Sequence, residues 1–168
     1  MDYTIQYQSP LGTLTLASDG TALTGLWFSG QKHEHEHLRQ PVQDGSSLQV
    51  LQETAKWLDA YWRGENPSPM LIPVVFRGTP FQCKVWHLLL QIPYGSCVTY
   101  GELAKQYATA ESLSSMSAQA VGNAVGRNPI SILVPCHRVI GTGENMTGYA
   151  GGIAKKIALL RHEGYPVP

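Results

Sequence analysis

Apolar and polar residues alternate along much of the first thirty positions of the chain. Residues 3–8 alternate throughout and residues 11–16 alternate in part, while residues 23–28 form a third, mostly apolar segment. Ser9-Pro10 and Asp19-Gly20, which separate these segments, are typical turn sequences. We therefore predict three strands joined into a small antiparallel sheet.

A helical period begins at residue 47. Its apolar positions are three or four residues apart, at Leu48, Leu51, Ala55, Leu58 and Trp62. This spacing predicts an amphipathic helix over 47–63 that is capped by Ser47, ends at Gly64 and packs on the sheet. A short strand at 72–76 completes a first domain, which we place at residues 1–78.

The second domain, residues 79–168, has the pattern of short helices. We predict four of them, over 81–90, 99–107, 117–127 and 152–163. The first follows a cap-proline pair, Thr79-Pro80, and the second opens with capping-box spacing from Thr99 to Glu102. The second and third are separated by a polar stretch and predict a helix-turn-helix. The predicted fold class is α+β, with a sheet and a helix followed by a helical domain.

Small and amide residues form one face of the predicted helix 117–127. The buried stripe consists of Ala120, Val121, Ala124 and Val125. The opposite face carries Ala118, Gln119, Gly122, Asn123 and Gly126. A glycine inside a helix costs roughly 1 kcal/mol relative to alanine. Two glycines on one face therefore indicate that something approaches the backbone closely, either another helix or a ligand.

A cysteine and a histidine are adjacent in the segment Pro135-Cys136-His137-Arg138-Val139. A thiol becomes a strong nucleophile as a thiolate, which a nearby base or cation favours. Adjacent side chains on an extended segment point opposite ways, so His137 would act on Cys136 through a turn or a bridging water. The alternative is a structural thiol, because buried cysteines commonly serve packing. Cys83 and Cys97 have no adjacent histidine, and we interpret both as inert.

Glu163 is an acidic residue near the end of the last predicted helix. The helix dipole disfavours a negative charge at that end. A compensating partner is therefore expected, and His137 is the first candidate.

Four short motifs occur in order in the second half of the chain. They are Arg127-Asn128-Pro129, Pro135-Cys136-His137-Arg138-Val139, Tyr149-Ala150-Gly151-Gly152 and His162-Glu163-Gly164. In this series the chain resembles the O6-alkylguanine–DNA alkyltransferases, which repair DNA by direct reversal. The resemblance covers residues 79–165 well. It covers the N-terminal part loosely, where it implies a ribonuclease H-like domain.

The resemblance implies a reaction at Cys136. The alkyl group of an O6-alkylguanine in double-stranded DNA would pass irreversibly to this thiol, once per molecule and without a cofactor. O4-methylthymine is left open as a second substrate. Glu163 would polarise His137, which would deprotonate Cys136, and Asn128 would brace the turn before the acceptor segment.

The resemblance also implies a pocket for the extruded base. Tyr100 would donate to the ring nitrogen N3, and the Ala150 backbone N–H would donate to O6. The backbone carbonyls of Cys136 and Val139 would accept from the exocyclic amine, and Tyr149 would wall the pocket. Ser131 lies where some relatives carry a bulkier proline. Bulky alkyl adducts are therefore expected to be handled differently here, in a direction that the sequence leaves open.

The predicted recognition helix would enter the minor groove of DNA in this family. Its contact residues would be Ala118, Gln119, Gly122, Asn123 and Arg127. Many relatives carry an arginine where this chain has Gln119, which lacks a charge but can still hydrogen-bond an orphaned base. Because extrusion of a base costs a few kcal/mol, binding or flipping is expected to be weaker here.

Charge is distributed unevenly along a chain that is neutral as a whole. Residues 1–76 hold four Lys/Arg and eight Asp/Glu, for a net charge of −4, whereas residues 77–168 hold eight and four, for +4. Lysine and arginine contacts to phosphate carry much of the affinity for DNA. Binding is therefore expected to be salt-sensitive and to involve the second half.

The sequence also suggests where the protein acts. It has no apolar run of eighteen residues and no basic-then-apolar start, so we expect neither a membrane span nor a signal peptide. Three cysteines without close pairing favour a reducing compartment. We expect a monomer in the cytoplasm.

His33, His35 and His37 alternate with glutamates and could form a metal site on a strand. They lie between a strand and turn residues, however, and a polar loop is the favoured interpretation.

Two other function classes are open to a chain with these motifs. A lesion sensor would bind alkylated DNA without transferring anything, but such proteins lack the acceptor cysteine that Cys136 provides. A cysteine hydrolase could use Cys136, His137 and Glu163, but it would need an oxyanion hole that the sequence does not identify. Labelled O6-methylguanine in DNA separates the three classes, because only the transferase acquires the label.

Overall fold

The computed structural model describes residues 1–167 and divides into two compact units. The first comprises residues 1–77 together with Pro129–Ser131, and the second comprises Gly78–Asn128 and the chain from Ile132 onward. The segment 129–131 groups with the first unit because its backbone bonds to the strand residue Leu26. The Leu26 N–H donates to the Pro129 carbonyl over 2.9 Å, and the Ser131 N–H donates to the Leu26 carbonyl over 2.8 Å. The predicted division into residues 1–78 and 79–168 has a single boundary, so it could not assign residues 129–131 to the first unit.

The first unit is built on a four-stranded mixed sheet. Its strands are β1 (Asp2–Ser9), β2 (Gly12–Ser18), β3 (Leu23–Phe28) and β4 (Val42–Asp44), in the order β3-β2-β1-β4. The first three pair antiparallel, as the alternation predicts, whereas β4 pairs parallel to β1 and was not predicted. The strand predicted at 72–76 is reduced to a single bridge between Leu23 and Val74.

Helix α1 (Gln49–Trp62) follows β4, and its buried apolar residues include Leu51, Trp57 and Leu58. The prediction that Ser47 caps this helix is wrong. Leu48 occupies the cap position, and no side chain accepts a hydrogen bond there. A capping residue must sit one position before the first helical residue, and the helix starts two residues later than the periodicity suggests.

The second unit contains four helices and a two-stranded parallel sheet. The helices are α2 (Pro80–Leu89), α3 (Tyr100–Ala110), α4 (Ala118–Gly126) and α5 (Ile153–His162), and the strands are β5 (Val98–Thr99) and β6 (Val139–Ile140). Thr79 and Thr99 both form complete capping boxes. The indole N–H of Trp86 on α2 donates to the Ala124 carbonyl on α4 over 2.8 Å, which fixes α4 against α2.

The histidine-rich segment forms successive turns and not a strand. His33, His35 and His37 each have a positive φ, between 60° and 70°. Their rings pair with glutamates, His33 with Glu36 at 3.1 Å and His35 with Glu34 at 3.3 Å. Within residues 1–167 no group of three histidine, cysteine or carboxylate side chains is arranged to hold a metal ion.

None of the helices described for residues 1–167 is both long and apolar enough to cross a membrane.

Candidate functional site

Cys136 lies at the start of a single 3-10 turn, Cys136–Arg138, that leads directly into β6. The residue is buried, with 5% of its surface exposed. Strand β6 pairs with β5, which places Val139 opposite Val98 and Ile140 opposite Thr99. Tyr100 follows Thr99 as the first residue of α3. The short parallel sheet thus brings the start of α3 beside the cysteine segment.

Burial dominates the electrostatics of the Cys136 thiol. It raises the pKa of the thiol above its ordinary value, because a thiolate is poorly solvated inside the protein. A hydrogen bond from Asn128 and the positive charge of Lys156 act in the opposite direction on the same pKa. The Asn128 amide also donates to the Val134 carbonyl over 2.9 Å, so it braces the chain just before Pro135. The resting group is a thiol that needs a base.

His137 and Glu163 form a buried pair behind the cysteine. The His137 Nε2 atom lies 2.6 Å from the Glu163 Oε2 atom, and both side chains are fully buried. Burial lowers the pKa of His137, and the pairing with Glu163 partly offsets this. The pKa of Glu163 is also far below its ordinary value: burial acts against this, but hydrogen bonds and charges from His137 and Arg138 outweigh it.

Arg138 is a second partner of Glu163 that the sequence did not indicate. Its Nε atom donates to Glu163 Oε1 over 2.8 Å, and its Nη2 atom donates to Oε2 over 3.1 Å. Its Nη1 atom donates to the Ile92 carbonyl over 2.7 Å. The guanidinium also lies 5.6 Å from the centre of the Tyr94 ring. Arg138 therefore ties the cysteine turn to α5 and to the segment after α2.

Lys156 is buried beside the site, contrary to the helical pattern of α5. The periodicity of α5 predicts that Ile153 points inward and that Lys156 is solvated, but Ile153 is 48% exposed and Lys156 is fully buried. The Lys156 ammonium donates to the Val139 carbonyl over 2.6 Å and to the Thr147 carbonyl over 3.3 Å. Burial lowers its pKa to about 8. A hydrophobic pattern cannot identify a buried lysine whose partners are backbone carbonyls.

An open cleft of about 390 Å³ lies beside α4. Its lining residues are Tyr100, Ala118, Gln119, Gly122, Asn123, Thr147 and Gly148. Burial raises the pKa of the Tyr100 phenol to about 12, so this group is a hydrogen-bond donor at neutral pH. The Tyr100 hydroxyl donates to the Thr147 carbonyl over 3.3 Å. Thr147 and Gly148 were not identified from the sequence.

The structure gathers most of the predicted site residues in the second unit. Val139 and Tyr149 are buried and Ala150 is half-buried, while Ala118, Gln119, Asn123 and Arg127 are exposed. Ser131 belongs to the other unit. It is 2% exposed, and its hydroxyl donates to the Gln31 side chain over 3.3 Å.

Comparison with known proteins identifies the family. A family model described as 6-O-methylguanine DNA methyltransferase, DNA binding domain, matches residues 80–165. A second, described as 6-O-methylguanine DNA methyltransferase, ribonuclease-like domain, matches residues 3–76. The chain belongs to the 6-O-methylguanine DNA methyltransferase family. The resemblance drawn from the motifs is therefore confirmed, and it extends through the N-terminal part.

Similar methyltransferases cover nearly the whole chain. The methylated-DNA–protein-cysteine methyltransferase of Mycobacterium leprae is 40% identical over 159 residues, which are 95% of this chain and 90% of that protein. Its namesake in Haemophilus influenzae is 37% identical over 164 residues, or 98% and 87%. The crystal structure of Mycobacterium tuberculosis OGT in complex with DNA aligns with a TM-score of 0.80 and 41% identity, covering 96% and 91%. The predicted α+β fold, with a ribonuclease-like domain first, is confirmed.

Proposed function

We propose that this chain repairs O6-alkylguanine in double-stranded DNA by transferring the alkyl group to Cys136, once per molecule. The observation that carries the proposal is the buried Cys136 thiol, which adjoins the His137–Glu163 pair in a chain of this family. Relatives of 37–40% identity are methylated-DNA–protein-cysteine methyltransferases. A similar structure was solved in complex with DNA.

The first chemical step is removal of the thiol proton. Glu163 orients His137, and His137 takes the proton from Cys136 through a bridging water. The thiolate then attacks the alkyl carbon on the side opposite O6, so that an S–C bond forms as the C–O6 bond breaks. This division of labour among acid, base and nucleophile follows the logic of hydrolase triads. The proton that His137 takes up is passed to the departing guanine, so the reaction is redox-neutral and balances without a cofactor.

The second requirement is to stabilise the departing guanine. Tyr100, which remains protonated, donates to N3, and the Ala150 N–H donates to O6. The carbonyls of Cys136 and Val139 accept from the exocyclic amine, and Tyr149 walls the pocket. The Val139 carbonyl also accepts from Lys156, and a carbonyl oxygen has two lone pairs to serve both donors. The thioether on Cys136 has no ready leaving path, so the protein acts once.

The exposed face of α4 is the proposed DNA contact. Ala118 and Gly122 let the helix approach the minor groove, and Asn123 reaches the base edges. Gln119 occupies part of the space that the flipped nucleotide leaves. Arg127 at the end of the helix contributes phosphate attraction.

The remaining assignments concern specificity and setting. Ser131 is proposed to influence the range of adducts through the segment that leads to Cys136. Three cysteines without a disulfide support a cytoplasmic location, where thiols stay reduced. We propose a monomer as the active species.

The test is incubation with duplex DNA that carries a labelled O6-methyl group. Transfer predicts one label on each protein molecule and unmodified guanine in the DNA. Binding without label on the protein would instead indicate a lesion sensor. Release of the label into solution would indicate hydrolysis, and either result would contradict the proposal.

A further inference from the structure

Three N–H donors and the ring of His137 surround the carboxylate of Glu163. Oε1 accepts from Arg138 Nε over 2.8 Å and from the Gly95 N–H over 3.3 Å. Oε2 lies 2.6 Å from His137 Nε2 and accepts from Arg138 Nη2 over 3.1 Å. An ionised carboxylate is an acceptor only and has about four lone-pair sites. Both oxygens are therefore supplied with donors, and neither needs a proton of its own.

The anionic state of Glu163 decides the tautomer of His137. An ionised carboxylate can only accept, so the His137 Nε2 atom, 2.6 Å from Oε2, must carry the hydrogen between them. A neutral imidazole has one N–H, so the Nδ1 atom is left as the acceptor. That Nδ1 atom is buried and hydrogen-bonds to no protein group within residues 1–167. It is the nitrogen available to receive a proton.

We propose that Arg138 is a positioning residue for alkyl transfer, one that keeps Glu163 anionic and thereby holds His137 as the Nε2–H tautomer with Nδ1 ready as the base. The inference rests on the proposed function, in which His137 serves Cys136. Arg138 is held from two further directions, by the Ile92 carbonyl and the Tyr94 ring. It touches neither the thiol nor the cleft, and it acts through Glu163.

Arg138 and Glu163 act on the basicity of His137 in opposite directions. The carboxylate of Glu163 raises the pKa of His137, whereas the guanidinium of Arg138 and the ammonium of Lys156 lower it. The other titratable groups around this cluster are Tyr94, Cys97 and Cys136. Only neutral His137 can accept the thiol proton. The acid limb of the pH–rate profile for Cys136 should therefore follow the pKa of His137.

If Arg138 positions His137 through Glu163, replacing Arg138 and replacing Glu163 should shift the acid limb in opposite directions. A merely structural role of Arg138 would not produce this pattern. We would measure the rate at which iodoacetamide modifies Cys136 against pH, by mass spectrometry of the peptide that contains it. Arg138→Gln should move the acid limb to higher pH by about one unit, the size of a nearby-charge effect. Glu163→Gln should move it to lower pH. Arg138→Lys keeps the charge and should leave the limb in place while lowering the plateau.

A limb that stays fixed in Arg138→Gln, or that moves the same way in both variants, would overturn the proposal. If Arg138→Gln does not fold, the ¹⁵N shifts of His137 in the wild-type protein decide. A protonated Nε2 and a bare Nδ1 at neutral pH are expected, and the reverse tautomer or an imidazolium would refute the assignment. These readouts need no DNA. Failure of alkyl transfer alone would count against the proposed function and not against the role of Arg138.

Discussion

The Lys156 ammonium lies 2.6 Å from the carbonyl oxygen of Val139. Lys156 is fully buried, and Val139 directly follows the 3-10 turn that begins at Cys136. This contact joins α5 to the strand that follows the acceptor turn. It also puts a positive charge near the thiol, since Lys156 and Cys136 each shift the pKa of the other. A buried lysine is costly unless it is paired. Here it is paired with carbonyl dipoles and not with a carboxylate, so its charge remains available to favour a thiolate.

Lys156→Met should slow the reaction of Cys136 more than it alters the fold. The variant removes the charge that favours the thiolate, so the pKa of Cys136 should rise and modification at neutral pH should fall about tenfold or more. The measurement is the pH dependence of Cys136 modification. Lys155→Met, which removes the neighbouring charge, is the matched control and should change the rate little. Equal losses in both variants would contradict a specific role for Lys156.

Lys156 should also make the free energy of unfolding depend on pH. The pKa of Lys156 falls from its ordinary 10.5 to about 8 in the folded protein, so between these values the unfolded chain binds more protons. The contribution of Lys156 to the free energy of unfolding should therefore rise with pH across this window. Subtracting the profile of Lys156→Met from that of the wild type isolates the contribution.

His137 and Glu163 should behave as one unit in catalysis. Glu163 acts on the thiol only through His137, so its replacement should cost nothing further once His137 is gone, and the losses in His137→Ala and Glu163→Gln should not add in the double variant. Single-turnover repair of O6-methylguanine duplex measures all three. Losses that multiply fully would show two independent roles.

Gly148→Ala should displace Tyr100 and impair repair. A Cβ at Gly148 would lie 2.6 Å from the Tyr100 hydroxyl oxygen, and Gly148 has a φ of +93°. Gly143 is the matched control in the same loop, because it has a φ of +68° and an added Cβ would meet nothing within 4 Å. Both variants bear backbone strain of about 1 kcal/mol. Only Gly148→Ala should slow alkyl transfer by more than its loss of stability explains. Similar transfer rates in the two variants would show that Tyr100 has no role in the reaction.

Gln119→Arg should strengthen the interaction with duplex DNA. The new charge should steepen the salt dependence of binding by up to about one phosphate equivalent. It should also speed repair of a paired lesion more than repair of the free base, because only the paired lesion must be extruded. Gln119→Ala should slow duplex repair and spare the free base. Equal effects on both substrates would place residue 119 in the pocket and not at the flipping step.

The sequence was most informative where a local rule was strained. Glu163 opposes the dipole of α5, which predicted a partner, and the structure places His137 against it. The cap at Thr79 and the capping box at Thr99 could be predicted directly, because the hydrogen bonds of a capping box span only three residues. The hydrogen bonds from Arg138 to Glu163 could not be predicted, since they depend on how the turn Cys136–Arg138 packs against the end of α5.

Other features escaped prediction because tertiary contacts outweigh local pattern. Strand β4 is three residues long and lacks an alternation, so only its pairing with β1 defines it. On α5, Ile153 is exposed and Lys156 is buried, which reverses the usual preference. Lys156 is buried because it binds two backbone carbonyls, those of Val139 and Thr147, and both lie outside α5.

The central claim is that Cys136 is the alkyl acceptor. The most direct measurement is peptide mass spectrometry after incubation with duplex DNA containing O6-methylguanine. The peptide that contains Cys136 should gain one methyl group per molecule, and Cys136→Ala should bind the duplex nearly as well while gaining none. A methyl group on Cys83 or Cys97, or methyl acceptance that persists in Cys136→Ala, would contradict the account.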